Sequence, residues 1–287
     1  MNSAPPAIRI ESRVPRADYD AIHGVSITRL KELRRSPQHY QYSLTHPKTS
    51  NPLRLGIAAH IAVLEPDRFA AEFSVWERTT DAGAMAPRRG QHWDAFCESH
   101  RGRKILTPDE WFLCEQIAAA VHRDELAMKY LGSGDPEVTL LWQTAERQCK
   151  GRADWMTTLE GKPYIVGLKT ARDCRPWIFG SQCAKLAYHL QFAFYADGYE
   201  AITGIRPALV EIVVESSAPH AVAVYKIPDD VLDQGREEYA HLLEVLAECE
   251  RDDSWPGPVP REEYLSLPTW AYGSADDDVE ALGLVGE

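Results

Sequence analysis

The sequence predicts an α/β (α+β) chain, with a mainly helical first part and then strands and helices built around one sheet. Three observations carry this expectation. Apolar residues recur at helical spacing up to about residue 130, three short β-rich runs follow between 137 and 170, and two more strand-like runs are enclosed by helical stretches. With 287 residues, 44% apolar, the chain can bury a core without staples, while 18 Gly and 19 Pro exclude collagen-like and low-complexity architectures.

Residues 1–20 contain Pro and Arg without periodicity and read as a flexible N-terminal arm. Ser26 caps a short helix in which Ile27, Leu30 and Leu33 repeat every third residue among Arg29, Lys31, Arg34 and Arg35; Pro37 stops it. A second helix runs from about Arg54 to Leu64, where Gly56 lets a neighbour approach one turn before His60. Residues 77–92, with Arg88-Arg89, read as a flexible basic loop. Thr107-Pro108-Asp109-Glu110 combines an N-cap, a first-turn proline and a capping-box glutamate, starting a helix that continues to about Tyr130. Glu137–Trp142, Cys149–Met156 and Tyr164–Thr170 form a three-strand meander. Residues 175–203 are helical, 208–215 and 220–227 are strands, and Asp229–Cys249 is a last helix. The Pro-rich stretch from Ser254 to Trp270 wraps the surface, and the acidic stretch from Ser274 reads as disordered. The expected division is an arm (1–20), one domain (21–273) and a tail (274–287). Within the domain, 21–130 is mainly helical, 131–250 is the core and 251–273 is the wrap.

Six scattered cysteines (Cys97, Cys114, Cys149, Cys174, Cys183, Cys249) without a C-x-x-C pair argue for free thiols and against structural zinc. No apolar run approaches the roughly 20 residues a bilayer needs, and the first residues carry no apolar signal core, so a cytoplasmic location away from membranes is expected. Neither G-x-S-x-G nor H-E-x-x-H occurs, which disfavours a small-molecule hydrolase. The net charge is −12, but unevenly spread: residues 1–106 carry 16 Lys and Arg against 11 Asp and Glu, and the remainder 15 against 32. An acidic chain of this kind can still present a local basic groove to phosphates.

The middle strands carry the chemistry. Alternation puts Lys150, Arg152 and Asp154 on one face of their strand, and Ile165, Gly167 and Lys169 on one face of the next. A strand carboxylate one hairpin from an x-x-Lys strand is the skeleton of a metal-dependent phosphodiesterase site. The carboxylate holds a divalent cation and the lysine orients a water for attack on phosphorus. His60 adds an imidazole, Glu137 opens the first strand of the meander, and Gln191 and Tyr195 lie at i and i+4 on one helix face. Singly, each reads as an ordinary core or interfacial residue; their order along the chain is what carries weight.

The string resembles the RecB-type branch of the PD-(D/E)XK nucleases, and within it the RecE-like exodeoxyribonuclease VIII C-terminal domain. The resemblance runs from about Tyr19 to Trp270. It rests on Gly24-Val25-Ser26-x-x-x-Leu30-Lys31, Ser36-Pro37-x-x-Tyr40, Gly56-x-x-x-His60-x-x-x-Leu64-Glu65-Pro66, Gly151-Arg152-x-Asp154-Trp155, Leu168-Lys169-Thr170, Gln191-x-x-x-Tyr195, Trp255-Pro256-Gly257 and Leu267-Pro268-x-Trp270. It implies a restriction-endonuclease-like mixed central sheet flanked by helices. It also implies Mg²⁺-dependent digestion of linear duplex DNA from the 5′ end (Mn²⁺ as an alternative ion), with single strands left for recombination and annealing. The implied partners are duplex DNA ends, a RecT-type single-strand annealing protein and further copies of the chain in a ring-like homo-oligomer such as a tetramer. Iron–sulfur relatives use four flanking cysteines that this chain lacks, so no cluster is expected. By this resemblance His60 and Asp154 ligate the metal, with Glu137 contributing directly or through water and the Leu168 carbonyl beside them. Lys169 positions the water, and Gln191 and Tyr195 orient the strand or the lysine. Arg88, Arg89, Arg101, Arg103 and Lys104 are candidates for a DNA track; Arg152 reads equally as a phosphate contact or as the partner of a carboxylate.

One position departs from the pattern. The family places an acid two residues before the lysine, and here that residue is Gly167. Loss of a central carboxylate weakens a site for a hard cation. Three explanations stand: the acid was replaced to trap substrate or prevent self-toxicity; the chain is an inactive natural variant, a DNA-end-binding scaffold for an annealing protein; or a carboxylate from a neighbouring loop, Glu160 or Asp173, reaches in. The first is favoured because every other motif position is filled.

Overall fold

A computed structural model describes residues 8–46, 51–144, 147–259 and 261–268. The chain begins with β1 (Arg9–Glu11), α1 (Arg16–Ala21), β2 (Val25–Ser26) and α2 (Ile27–Leu30), which tightens into a 3₁₀ turn at Lys31–Arg34. α3 (Pro37–Thr45), α4 (Asn51–Leu64) and α5 (Pro66–Glu72) follow, then β3 (Phe73–Val75), α6 (Gln91–Ser99), β4 (Lys104–Leu106), α7 (Pro108–Arg123) and α8 (Glu125–Leu131). The core comprises β5 (Asp135–Thr144), β6 (Arg147–Leu159), β7 (Lys162–Ala171), α9 (Pro176–Lys185), α10 (Tyr188–Thr203), β8 (Ala208–Glu215), β9 (Val222–Lys226) and α11 (Asp229–Asp252).

Among the described residues, seven strands make one mixed sheet in the order β1-β5-β6-β7-β8-β9, with β2 parallel to β6 off that path. β5, β6 and β7 are the expected antiparallel meander, and the α9–α10 crossover makes β8 parallel to β7. Side chains alternate between two cores. On one face Ile165 and Leu209 pack with α2, α10 and α11; on the other, Val166, Leu168, Val210 and Ile212 pack with α4 and α7. This is the helix-flanked mixed sheet of the restriction-endonuclease-like fold. Among the described residues no helix is long and apolar enough to cross a membrane.

Several expectations are corrected. The residues read as a flexible arm belong to the fold from Arg9 onward: β1 pairs antiparallel with β5, and Tyr19 on α1 is buried. Lys150 ties this segment down. It does not join Arg152 and Asp154 at a site; its buried ammonium donates to the carbonyls of Tyr19 (2.9 Å), Asp20 (3.3 Å) and Ile22 (2.7 Å) at the end of α1. Pro37 starts a helix, since Ser36 accepts from His39 N and proline suits the first helical position. The capping box of Thr107 and Glu110 is present, but its helix ends at Arg123, because Asp124 takes an extended backbone and caps a new one through Ala127 N. The helical stretch 175–203 breaks at Ala187, whose left-handed φ of 54° no glycine announces. In the supposed loop 77–92 the Thr80–Ala84 turn is held by a backbone bond (2.7 Å) and by Trp76 Nε1 donating to Ala86 (2.9 Å), α6 starts at Gln91, and β3 and β4 form a small parallel pair. The tail from Ser274, Trp270 and residues 1–7 of the arm lie outside the described residues. The start of the C-terminal wrap stacks Trp255 on Tyr40 and gives the Pro256 carbonyl to Gln38 N.

Candidate functional site

β6 and β7 pair from Leu159–Lys162 up to Trp155–Val166, and there the ladder stops. Beyond that point the strands part, and the site lies in the fork. Leu168 N–H, free of the ladder, donates to Asp154 Oδ2 at 2.9 Å. Lys169 Nζ stands 3.3 Å from the same oxygen and 3.2 Å from the Leu168 carbonyl.

The electrostatics follow from this arrangement. Burial pushes the Asp154 carboxyl up, but the Lys169 ammonium, the His60 ring and the Leu168 N–H outweigh it and hold the group below the ordinary range. Burial would also neutralise Lys169, yet two flanking carboxylates keep its pKa above the normal lysine value. His60 reaches the fork from α4, beside Asp154 and Lys169 and with a backbone hydrogen bond to Leu168. Burial, reinforced by Lys169, holds its imidazole below the usual value and so neutral, the form that binds metals. Gly56 is not the reason His60 gets there: a Cβ on it would meet nothing within 4 Å.

α10 closes the site from the other side. Gln191 and Tyr195 lie one turn apart and hydrogen-bond each other; burial and nearby Asp154 push the phenol up to about 12. The Tyr195 ring lies so close to β6 that a Cβ on Gly151 would stand 2.8 Å from it, which explains the glycine before Arg152. Asp154, Gly167, Gln191, Tyr195 and a further carboxylate line a cavity of about 20 Å³. That exceeds the roughly 10–15 Å³ that one water-sized guest requires.

The further carboxylate is Glu211. It stands on β8 directly opposite Gly167, only 2% exposed, with Lys169 Nζ 3.1 Å from its Oε1. The Lys169 ammonium is thus both its ion-pair and its hydrogen-bond partner. Burial and the Asp154 charge raise its pKa to about 7 against the pull of Lys169. The sequence carries one signal for it: a lone acid inside the apolar run Leu209-Val210-Glu211-Ile212-Val213-Val214. The loop carboxylates considered earlier are elsewhere. Asp173 is bonded to Arg175, and Glu160 sits with φ of 52° in the β6–β7 turn. Lys31 is a second residue not anticipated for the site. Its ammonium and that of Lys169 each lie 5.5 Å from the Tyr188 ring centroid, and burial, with Lys169 nearby, lowers its pKa to about 7.

The remaining expected residues are placed as follows. Glu137 takes a left-handed backbone (φ 54°) opposite Asp154 and pairs with Arg152. Arg152 is 9% exposed and also faces the Tyr19 ring, so it acts as the partner of a carboxylate and not as an open phosphate contact. Arg101 pairs with Glu98, Arg103 donates to the carbonyls of Ala70 and Ala71, and Lys104 lies 3.8 Å from Glu72. Arg88 lies over the Trp93 ring at 5.6 Å, and Arg89 is exposed. Among the described residues, no three His, Cys, Asp or Glu side chains stand together at metal-ligand spacing.

The geometry agrees with comparisons to other proteins. Residues 26–268 match the family described as "PDDEXK-like domain of unknown function (DUF3799)". No curated protein matches the chain in sequence. The crystal structure of a "putative exonuclease" from Eubacterium rectale superposes with a TM-score of 0.61 at 15% identity, covering 94% of this chain and 99% of that one, which shows the shared fold. SSO0001 (TM-score 0.29, 14% identity, 75% of this chain and 84% of that one) and VC1899 from Vibrio cholerae (0.22, 12%, 79% and 57%) are too distant to inform it. With a match across most of its length and the strand fork in place, the chain belongs to this PDDEXK-like family.

Proposed function

We propose that the chain is a metal-dependent nuclease that digests linear duplex DNA from its ends, 5′ to 3′, leaving single strands for annealing. The observation that carries this is the fork itself: a half-buried Asp154, a neutral His60 and a charged Lys169 from three separate elements meet around the Leu168 peptide.

The donor set suits a hard divalent cation. Asp154, the Leu168 carbonyl and the His60 ring would hold it, and the cavity lined by Asp154 and Glu211 leaves room and charge for it. Such an ion supplies Lewis-acid charge at the phosphate. The protein's own contribution is electrostatic and positional. Lys169, kept protonated, cannot act as a base; its ammonium offers hydrogen bonds to the attacking water and to the non-bridging phosphate oxygens. Gln191 and Tyr195, fixed to each other, set the lysine and the strand in place. Hydrolysis then joins the water oxygen to phosphorus as the bond to the sugar oxygen breaks, the water giving up a proton to solvent and the leaving sugar oxygen taking one from it.

The test is digestion of linear duplex DNA labelled at one 5′ or one 3′ end. With Mg²⁺ the 5′ label is released first. Lys169→Met lowers the rate about 100-fold or more. Unchanged digestion by Lys169→Met, or release insensitive to a chelator, overturns the reading. Mg²⁺ or Mn²⁺, the RecT-type annealing partner, DNA ends as substrate, the ring-like oligomer and the cytoplasmic location all belong to this proposal. A second reading, a DNA-end-binding scaffold without catalysis, draws on the lack of three acidic or imidazole side chains at ligand spacing among the described residues. Calorimetry separates the two, since a scaffold shows no stoichiometric divalent-cation site.

A further inference from the structure

Resting on the nuclease reading, we infer that Glu211 is the second metal-binding carboxylate of the site, supplied by the neighbouring strand in place of the acid missing at Gly167. The strand register makes this substitution possible. β7 and β8 are parallel and paired residue for residue, with Gly167 opposite Glu211 and Lys169 opposite Val213. Neighbouring strands lie about 4.8 Å apart, so a glutamate on one can reach the space over its partner on the next. Here it does so. A Cβ built on Gly167 would lie 2.2 Å from Glu211 Oε2 and 2.7 Å from both Cδ and Oε1. The carboxylate therefore fills the volume that a side chain at 167 would enter.

Three further features fit an anion placed there for a cation. Glu211 is buried, and an ionised carboxylate in such a place is costly unless a positive group meets it. Lys169 lies between it and Asp154, 3.1 Å from one and 3.3 Å from the other, so both acids answer to one lysine as a matched pair would. The cavity of about 20 Å³ is bounded by Asp154 and Glu211 together, with Gly167 between them. An acid at 167 and an acid at 211 are thus interchangeable in charge, and a side chain at 167 enters only if the Glu211 carboxylate swings out of its present place. The glycine leaves that carboxylate where it stands beside Lys169, so it is not by itself a lesion. On this inference Gly167 is not an inactivating replacement. It also means that Gly167→Asp alone does not restore anything.

The experiment is a charge swap read by Mn²⁺ calorimetry on chelator-treated full-length protein, with thermal melting to verify folding. The variants are Glu211→Gln, Gly167→Asp, Gly167→Asp/Glu211→Ala and, as control, Asp154→Asn. The native protein shows one Mn²⁺ site. Glu211→Gln, equal in shape, weakens it at least about tenfold. Gly167→Asp, forced against Glu211, binds worse than the native chain or melts lower. The double variant regains affinity to within a few-fold of native, since the acid has moved back across one strand. Mn²⁺ affinity in Glu211→Gln equal to native, while Asp154→Asn abolishes it, overturns the role of Glu211 and leaves the nuclease reading intact. A native protein with no Mn²⁺ site and no DNA digestion overturns both.

Discussion

Lys169 holds its proton because Asp154 and Glu211 face it, while burial and the Asp154 charge, against the pull of Lys169, make Glu211 reluctant to ionise. That reluctance has a consequence for stability. Glu211 titrates near 7 when folded and near the ordinary carboxylate value when unfolded, so between those values the folded state holds the extra proton. The sign follows: this group's contribution is favourable below about pH 4.5 and is lost as pH rises through about 7. In chelator, urea unfolding of the native protein and Glu211→Gln should diverge accordingly, the native chain losing up to about 3 kcal/mol relative to the variant from pH 4.5 to pH 8. A constant difference across that range contradicts the placement of Glu211. At this scale the sequence was legible where a motif carries the residue: Asp154, Lys169, His60, Gln191 and Tyr195 do meet. Glu211 escaped because its place opposite Gly167 arises from register between β7 and β8, strands 44 residues apart in a pairing that no local pattern encodes. For Arg152 the sequence left a phosphate contact and a carboxylate partner open, because alternation gives the face of a side chain and not its partner; the structure pairs it with Glu137.

At the scale of elements, the site depends on how closely α10 lies against β6. Gly151 permits that approach, since a Cβ there would stand 2.8 Å from the Tyr195 ring. Gly151→Ala is therefore expected to cost about 1–3 kcal/mol of stability by overpacking, and to lower activity more than occupancy of DNA as Tyr195 and Gln191 shift. Urea denaturation with single-turnover digestion checks it; a variant equal to native in both contradicts the packing account. The strands were readable from their β-branched runs and the α7 start from its capping box, whose two reciprocal bonds are present. The boundaries that were missed share a physical cause. Asp124 and Ala187 end helices through backbone turns carried by residues other than Gly or Pro, and β1 and β2 are too short to show alternation.

For the whole molecule, the fold class followed from the order of elements, while the DNA surface did not follow from charge. The chain carries −12, and of the residues read as a DNA track Arg101, Arg103 and Lys104 are engaged with Glu98, the Ala70 and Ala71 carbonyls, and Glu72, while Arg88 and Arg89 are exposed. The proposed DNA binding works against this net charge and calls for phosphate contacts close to the fork. With Ca²⁺ replacing Mg²⁺ to slow cleavage, duplex affinity is expected to fall at least about tenfold from about 50 to about 200 mM salt. Fluorescence anisotropy measures this, and a flat response contradicts phosphate recognition.

The central claim is that phosphodiester hydrolysis occurs at the fork between β6 and β7. The most direct measurement is release of acid-soluble nucleotides, in Mg²⁺, from linear and from covalently closed duplex DNA by the native chain and by Asp154→Asn. The account predicts steady release from the linear form alone, and none by Asp154→Asn. Equal release by the variant, or none by the native chain across a range of Mg²⁺ and Mn²⁺, contradicts it.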